Sequence, residues 1–596
     1  MNKFTKDYNV KYFGQDVLTG IIIALVSIPI SMGYALVAGL PAIYGLYGSL
    51  LPIIIFGFMT TSPRFVFGVD AAPAALVGGI LGTLSIASSS EEAVRIVPVI
   101  TLLVSLWLLL FYFLKADKIL KFISEPVMGG FITGIGVTII TMQIPKLFGG
   151  NAGRGELIEL VVHIVKEMVE GFHVLSFVIG VLTVAVILIM KKLAPKIPMQ
   201  AIIMVLSAII SYAFHLENYG IKMLPKVARG LPKFSFPDIT VLPENYEAIL
   251  LPSLTIALVI MSETLLATSN IGLKYDDKIK PSREVLTYSI CNMAACLTGC
   301  CPVNGSVSRT GIADQYKVKS QVMSIVAGVA MFFILLFGTG FIGYLPIPVL
   351  TAIVISALIG TFEFELSMKL RKADKAEFLI FYAAFFSVLL LGTIYGVLVG
   401  IILSAATFIV RQTKPATAFL GVSEADDGFH TIKEGGAYDP IEGVVIYRFT
   451  GALFYATIGQ FQEELSEAVK DDTKVIVVDA AGIGNVDVTA AQRLLLLYRK
   501  YKEKGIDFYL AGHVSRVNTE LKNFGAKELI QNGAVRLRIA YALKASGIEK
   551  PYKVIKSEDR EVHPNTKQIT ELEWAFGEDS EKEYEETGVQ SIFTHE

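Results

Sequence analysis

Between residues 17 and 410 the chain is a succession of apolar segments, most of them about as long as a helix needs to be to cross the hydrocarbon core of a bilayer. This one feature removes most folds. Lipid offers no water to satisfy a backbone N–H or C=O, so a spanning segment must be a helix or part of a closed barrel. The apolar runs are continuous rather than alternating, so helices are expected. Composition agrees: 53% of the 596 residues are hydrophobic, and mean hydropathy is +0.58. The formal net charge of −2 gives no reason to expect a nucleic-acid partner.

The segments fall into two sets of about seven. The first covers residues 17–34, 43–59, a piece opening at 65, 96–114, 127–143, 175–190 and 201–214. The second covers 251–269, 285–297, a piece opening at 306, 322–341, 347–359, 378–394 and 397–410. The third member of each set is anomalous. Phe65-Val-Phe-Gly-Val-Asp-Ala-Ala-Pro73 reads as a short extended piece leading into a helix capped by Asp70, with Pro73 in the first turn. Cys301-Pro-Val-Asn-Gly-Ser-Val-Ser-Arg-Thr310 reads as a turn at Asn304-Gly305 and then a helix capped by Ser306 or Ser308. Paired interruptions at corresponding places in two halves point to an inverted-repeat transporter and to its binding site. A helix that starts inside a membrane aims free N–H groups and a positive dipole end at whatever faces it. Arg309, one turn in, adds a full positive charge. An anion site at the bilayer midplane is therefore expected here.

Lysine and arginine set the orientation. Lys115, Lys118, Lys121, Lys191, Lys192, Lys196, Lys274, Lys317, Lys319, Lys369, Arg371 and Arg411 all lie in alternate loops. They share one side if the N-terminus is cytoplasmic; the loop from Lys222 to Lys233 is basic on the other side, but long loops weigh little, and an even number of spans returns the C-terminus to the cytoplasm. Residues 1–16 are polar and precede an apolar segment that lacks a cleavage pattern, so no removable signal peptide is expected. The four cysteines, Cys291, Cys296, Cys300 and Cys301, lie in one apolar region and read as small membrane residues, not a disulfide framework or metal site.

Hydropathy changes after Arg411. Short apolar strands at 444–449, 474–479 and 507–511 alternate with amphipathic helices at 461–470 and 488–504. That pattern predicts a small sheet with helices against it. The stretch contains no convincing catalytic set, and His513 stands without a paired cysteine or acid. No enzymatic activity, cofactor or metal is expected. The expected divisions are a cytoplasmic N-terminus (1–15), a transport domain (16–412), a cytoplasmic α/β domain (413–548) and a charged C-terminal tail (549–596).

This order of features resembles the sulfate permease (SulP) anion transporters with a C-terminal STAS domain. Four motifs carry the resemblance: Pro29 through Tyr47, Gly68-Val-Asp-Ala-Ala72, Asn304-Gly-Ser-Val-Ser-Arg-Thr310, and residues 476–493. The resemblance implies about fourteen spans in two intertwined inverted repeats. It also implies a core domain moving as an elevator against a gate domain, and a homodimer. Its substrate-site positions fall on Ser27, Ile30, Tyr34, Asp70, Ala71, Gly305, Ser306, Val307, Ser308 and Arg309, and its acidic position in the eighth span falls on Glu263. Ile30 is apolar where some relatives carry an amide, and Asp70 is acidic where many are apolar. STAS regulators can carry a phosphorylated serine after an aspartate. Here Val488 follows Asp487, leaving only Thr489, so partner binding or dimer contacts are the expected role.

The charges of this site need balancing. Arg309 brings one positive charge, while Asp70 and Glu263 bring two negative ones. An anion added to two ionised carboxylates in a low dielectric is strongly repelled. One carboxyl is therefore expected to carry a proton, or to pair with Na⁺, when the anion binds, with Glu263 favoured as the ion-coupling group. Structural readings stand beside these. Asp70, Ser306 and Ser308 could be plain caps, Arg309 a fixed partner of Glu263, and Tyr34 a packing or lipid-facing aromatic. Ser262, Thr264 and Thr268 would bond their own helix. The expected function is secondary active transport of a small anion (sulfate, bicarbonate or a dicarboxylate), coupled to H⁺ or Na⁺, in the cell membrane. Uncoupled anion conduction or exchange, nucleobase transport and membrane sensing are the alternatives.

Overall fold

The computed structural model describes residues 10–116, 124–153, 155–194, 197–226, 229–423, 426–433 and 438–555. The tail from residue 556, the first nine residues, and Lys118, Lys121 and Lys196 lie outside the described residues. The chain divides into two compact units, residues 1–406 and 407–596.

The first unit is built of helices because its apolar segments have no other way to satisfy their backbone in lipid. Its first half runs α1 (Phe13–Val37), α2 (Ile43–Gly48), α3 (Leu51–Met59), β1 (Phe67–Gly68), α4 (Ala71–Thr83), α5 (Glu91–Phe113), α6 (Glu125–Leu147), α7 (Leu157–Gly171), α8 (Val174–Leu193) and α9 (Met199–Phe214). Its second half runs α10 (Leu242–Tyr275), α11 (Pro281–Leu297), β2 (Asn304–Gly305), α12 (Val307–Gln315), α13 (Val322–Phe333), α14 (Ile347–Ile359), α15 (Phe364–Ala373), α16 (Lys375–Leu391) and α17 (Thr393–Gln412). The order of the halves matches. Each has a two-residue strand opening a short third helix, and each has a short extra helix after its fifth span. Seven helical stretches of the described residues are long and apolar enough to cross a membrane; three shorter apolar helices lie between them and a fourth, Ile402–Gln412, follows the last.

β1 and β2 pair antiparallel, Phe67 opposite Gly305 and Gly68 opposite Asn304. This pairing was not legible in the sequence, because each strand is only two residues long. Around it the main core gathers buried side chains of α1, α4, α5, α6, α10 and α11. Phe67 stacks between Phe56 and Tyr288, with ring centroids 4.9 and 5.4 Å away. Asn292 of α11 secures the approach to β2: its Nδ2 donates to the Val303 carbonyl (3.1 Å), and its Oδ1 accepts from the Val303 N–H (2.9 Å). Gln321 Nε2 donates to the carbonyls of Ser62 and Phe65, at 2.7 and 2.8 Å, and secures the approach to β1. Backbone that leaves the helical ladder inside a membrane survives only when such groups are met by the protein.

The second unit carries the expected small sheet with helices against it, and the sheet is mixed. β3 (Ala416–Ser423), β4 (Asp426–Thr431), β5 (Val444–Leu453), β6 (Val475–Asp479), β7 (Ile483–Val486), β8 (Asp507–Ala511) and β9 (Val535–Arg536) form it. The order is β4-β3-β5-β6-β8-β9, with β7 paired to β5. β5, β6, β8 and β9 run parallel, while β3 and β4 form an antiparallel edge the sequence reading missed. α18 (Ile458–Ala468) and α19 (Val488–Glu503) cover one face, their buried side chains joining those of β5 and β6 in a single core. Asp487 caps α19, accepting from the Ala490 N–H at 2.7 Å, and its other oxygen accepts from the Tyr455 N–H at 3.0 Å. Thr489, just inside, is exposed. Asp487→Ala is expected to lower the stability of this domain by about 1 kcal/mol. Denaturant unfolding checks it, and an unchanged midpoint would show the cap to be unimportant.

Candidate functional site

The β1–β2 pairing turns two helix starts toward one place. α4 begins at Ala71 and α12 at Val307, each directly after its strand. The first N–H groups of a helix have no partner inside it. The sequence predicts that Asp70 caps one of them and Ser306 or Ser308 the other. Both residues occupy the N-cap positions with extended backbones, but neither side chain makes a capping hydrogen bond. Instead the Ser306 hydroxyl donates across the crossing to Asp70 Oδ1 at 3.4 Å, and lies 3.4 Å from the Ser308 hydroxyl. The expected caps bridge the two half-helices, and the Asp70 carboxyl also meets the Ala71 N–H. Pro73 contributes no N–H to the α4 end.

Glu263 lies in the middle of α10 and is 7% exposed. Its Oε2 accepts from Asn304 Nδ2 at 2.7 Å. Asn304 Oδ1 in turn accepts from the Thr264 hydroxyl, and that oxygen accepts from the Gly305 N–H at 3.0 Å. The carboxyl is thus wired directly into the β2 break. The expectation that Thr264 and Thr268 bond their own helix fails. Thr264 holds Asn304, and Thr268 faces the Tyr288 hydroxyl at 3.5 Å, because both point into the packed core. Ser262 does bond its own helix, at 2.6 Å to the Leu258 carbonyl.

Arg309 is fully buried. Its Nη2 donates to the Val69 carbonyl at 2.7 Å and its Nη1 to Ser27 Oγ at 3.3 Å, while Nε has no hydrogen-bond partner among the described residues. It makes no ion pair with Glu263 among the described residues, so the fixed-partner reading does not describe it. The guanidinium lies beneath Gly68, where an added Cβ would come within 3.0 Å of Nη1. Arg309 therefore ties α1 and the end of β1 to α12. Ile30 and Tyr34 are also buried, at 1% exposure each, so Tyr34 does not face lipid.

Two adjoining cavities open in front of the crossing, of about 220 and 70 Å³. Ile132, Glu263, Val307 and Glu363 line both. The smaller also takes in Asp70, Ala71, Gly136 and Thr361. Its volume holds about five water molecules, or one small oxyanion with part of its shell. Of the residues expected from sequence, Asp70, Ala71, Val307 and Glu263 form its wall. Ser27, Ile30, Tyr34, Gly305, Ser306, Ser308 and Arg309 line neither cavity. The opposite wall was missed entirely. It comes from α6 and the turn after α14, including Glu125, Ile132, Gly136, Thr361 and Glu363. No motif marks these residues, and only the fold brings them here. Lys191 of α8 reaches the rim, its Nζ 2.7 Å from where a Cβ on Gly360 would stand.

Gly305 tests the crossing itself. An added Cβ would meet Phe65 Cε1 at 2.5 Å and Thr264 Cγ2 at 2.6 Å. A displacement of this kind at a binding site lowers activity by about 100-fold. Gly305→Ala is expected to show such a loss in uptake, whereas Gly79→Ala on α4, with nothing within 4 Å of the new Cβ, is expected to be silent. Equal rates for the two would show the crossing to be tolerant.

The comparisons agree with this architecture. The sulfate permease family model matches residues 13–384, and the STAS domain model matches residues 438–542. A probable sulfate transporter of Mycobacterium tuberculosis is 27% identical over 520 residues, covering 87% of this chain and 91% of that protein. A chloroplastic sulfate transporter of Arabidopsis thaliana is 26% identical, covering 87% of this chain and 78% of that protein. Among solved structures, the murine Solute Carrier 26 family member A9 anion transporter in its inward-facing state superposes with a TM-score of 0.80. It is 20% identical, over 91% of this chain and 93% of that one. The transmembrane domain of a cyanobacterial bicarbonate transporter gives 0.58 at 16% identity, over 67% of this chain and 98% of that one. The structural likenesses show the shared fold. The family model spans more than half of the sequence, and the chain belongs to the sulfate permease family, a family of membrane transporters rather than enzymes, with a STAS domain in its second unit.

Proposed function

We propose that this protein is a proton-coupled secondary transporter of a small oxyanion, with sulfate as the first candidate. The observation that carries the reading is the pair of half-helix starts facing a cavity whose wall contains Glu263, itself hydrogen-bonded to the β2 break. The N–H groups of Ala72 and Val307, at the two helix starts on the cavity wall, replace part of the anion's hydration shell. Arg309 supplies the compensating charge. Asp70 and Glu263 oppose the anion, so loading requires that Glu263 carry a proton. A carboxyl at bilayer depth is costly when charged, which is the physical basis of the coupling. The names of the relatives favour sulfate over bicarbonate.

In this reading residues 16–412 form the transport domain, in which a core holding α4, α10 and α12 moves as an elevator past a gate holding α6 and α14. Residues 413–548 form a cytoplasmic regulatory domain. The protein is a homodimer of the cell membrane with both termini cytoplasmic, as the alternate basic loops favour. Purified protein in liposomes should accumulate sulfate in a saturable way when the outside is acidic, with or without Na⁺. A panel of sulfate, bicarbonate, chloride, fumarate and aspartate ranks the anions. Unsaturable chloride current without sulfate uptake would replace this reading with a channel, and a requirement for Na⁺ would replace the proton.

A further inference from the structure

The helix α7 has its polarity arranged the wrong way round for a water-facing element. Ile158, Val161, Val162, Val165, Met168 and Val169 form one stripe at helical spacing. All six are exposed, Val169 at 82% and Ile158 at 68%. Leu160 is the one buried side chain. The polar side is what touches protein. Glu167 Oε2 accepts from the Asn151 N–H at 3.0 Å, and His163 Nε2 lies 3.1 Å from the Asn151 carbonyl. Those contacts fix the rotation of the helix on the loop beneath it. A third flank, with Lys166 and Glu170 3.8 Å apart, is open to water.

The position of α7 along the membrane normal is fixed by its neighbours. It joins the end of α6 to the start of α8, and both are long enough to span. The His173 N–H donates to the Phe148 carbonyl at 3.0 Å, and Phe172 stacks on Phe148 with centroids 5.2 Å apart, so the two spans meet at one membrane face. This is the end of α8 opposite Lys191 and Lys192. The same end of α8 also carries exposed apolar side chains, among them Leu175, Val178 and Leu182.

We infer that α7 lies in the plane of the bilayer interface, with its aliphatic stripe seated among the lipid headgroups and upper acyl chains. A helix with an apolar flank, a charged flank and both ends tied at the membrane edge fits no other surface so directly. Seated there, α7 anchors α6, one wall of the cavity, at a fixed depth. The anchor is independent of which anion or ion is carried.

The test is tryptophan fluorescence in proteoliposomes. Trp107 and Trp574, the two native tryptophans, are replaced by Phe, and single tryptophans are placed by Val165→Trp, Val169→Trp and Lys166→Trp. Val165→Trp is expected to emit to the blue and to lose about half of its intensity when the phosphatidylcholine is brominated at a shallow acyl position, and less when brominated deep. Lys166→Trp is expected to emit as in water and to stay bright. Val169→Trp reads the same face should Val165→Trp fail to reconstitute. Water-like, unquenched emission from the stripe would overturn the inference. So would blue emission that bromolipid leaves untouched, which would place a second copy of the chain against it, and so would stronger quenching by the deep bromines.

Discussion

Arg309→Ala is expected to lower uptake of sulfate by more than about 30-fold, and Arg309→Lys to leave only a small fraction of it. The guanidinium is buried and divides its donors between the Val69 carbonyl and Ser27 Oγ. Lysine restores the charge but not the two-pronged geometry. A full charge 4 Å from an anion contributes about 4 kcal/mol at an effective dielectric near 20. Arg309 lines neither cavity, so roughly 2 kcal/mol, or about 30-fold in affinity, is the electrostatic share. The rest of the loss is mechanical. Without the side chain Gly68 loses its floor, and β1 and α12 lose their common brace. Concentration-dependent uptake, read with the elution profile of the variant, separates the two. A well-folded Arg309→Ala protein with the wild-type KM would show that the charge does not serve the anion.

Glu263→Gln is expected to abolish the response of uptake to a pH gradient while leaving anion exchange at equal pH largely intact. Glutamine keeps the shape of glutamate and can still accept from Asn304 Nδ2, so the β2 break stays in place. What it loses is the ability to release a proton. Under the proposed coupling, acid outside loads Glu263 and the anion together, and uptake is expected to rise as outside pH falls. In the variant the site is permanently neutral, so sulfate binds but no proton accompanies it. Acid-driven accumulation should fall at least about tenfold, the change produced by removing 1.4 kcal/mol of driving force. If the gradient response survives, Asp70, on the same cavity wall, becomes the coupling group.

Much of this architecture was legible because membrane helices announce themselves by length and composition, and because Asn304-Gly305 and Asp70 with Pro73 interrupt that pattern at matching places. What the sequence concealed was the meeting of distant parts. Nothing in Phe67-Gly68 signals a strand paired with residues more than two hundred positions away. Helix-start reasoning makes Asp70 and Ser306 or Ser308 caps, yet the crossing turns the Asp70 and Ser306 side chains toward each other. Motif reasoning aims Arg309 at the anion, while its Nη2 goes to the Val69 carbonyl and it lines neither cavity. Glu125, Glu363 and Lys191 carry no motif and came into view only as the lining and rim of a cavity. α7 escaped because it is amphipathic and interrupts no apolar run.

The most direct test follows both fluxes at once in liposomes that hold a pH-sensitive dye and lack Na⁺. Sulfate added outside should enter together with protons, acidifying the lumen in proportion to the anion taken up. Sulfate accumulating while the lumen keeps its pH would contradict the account.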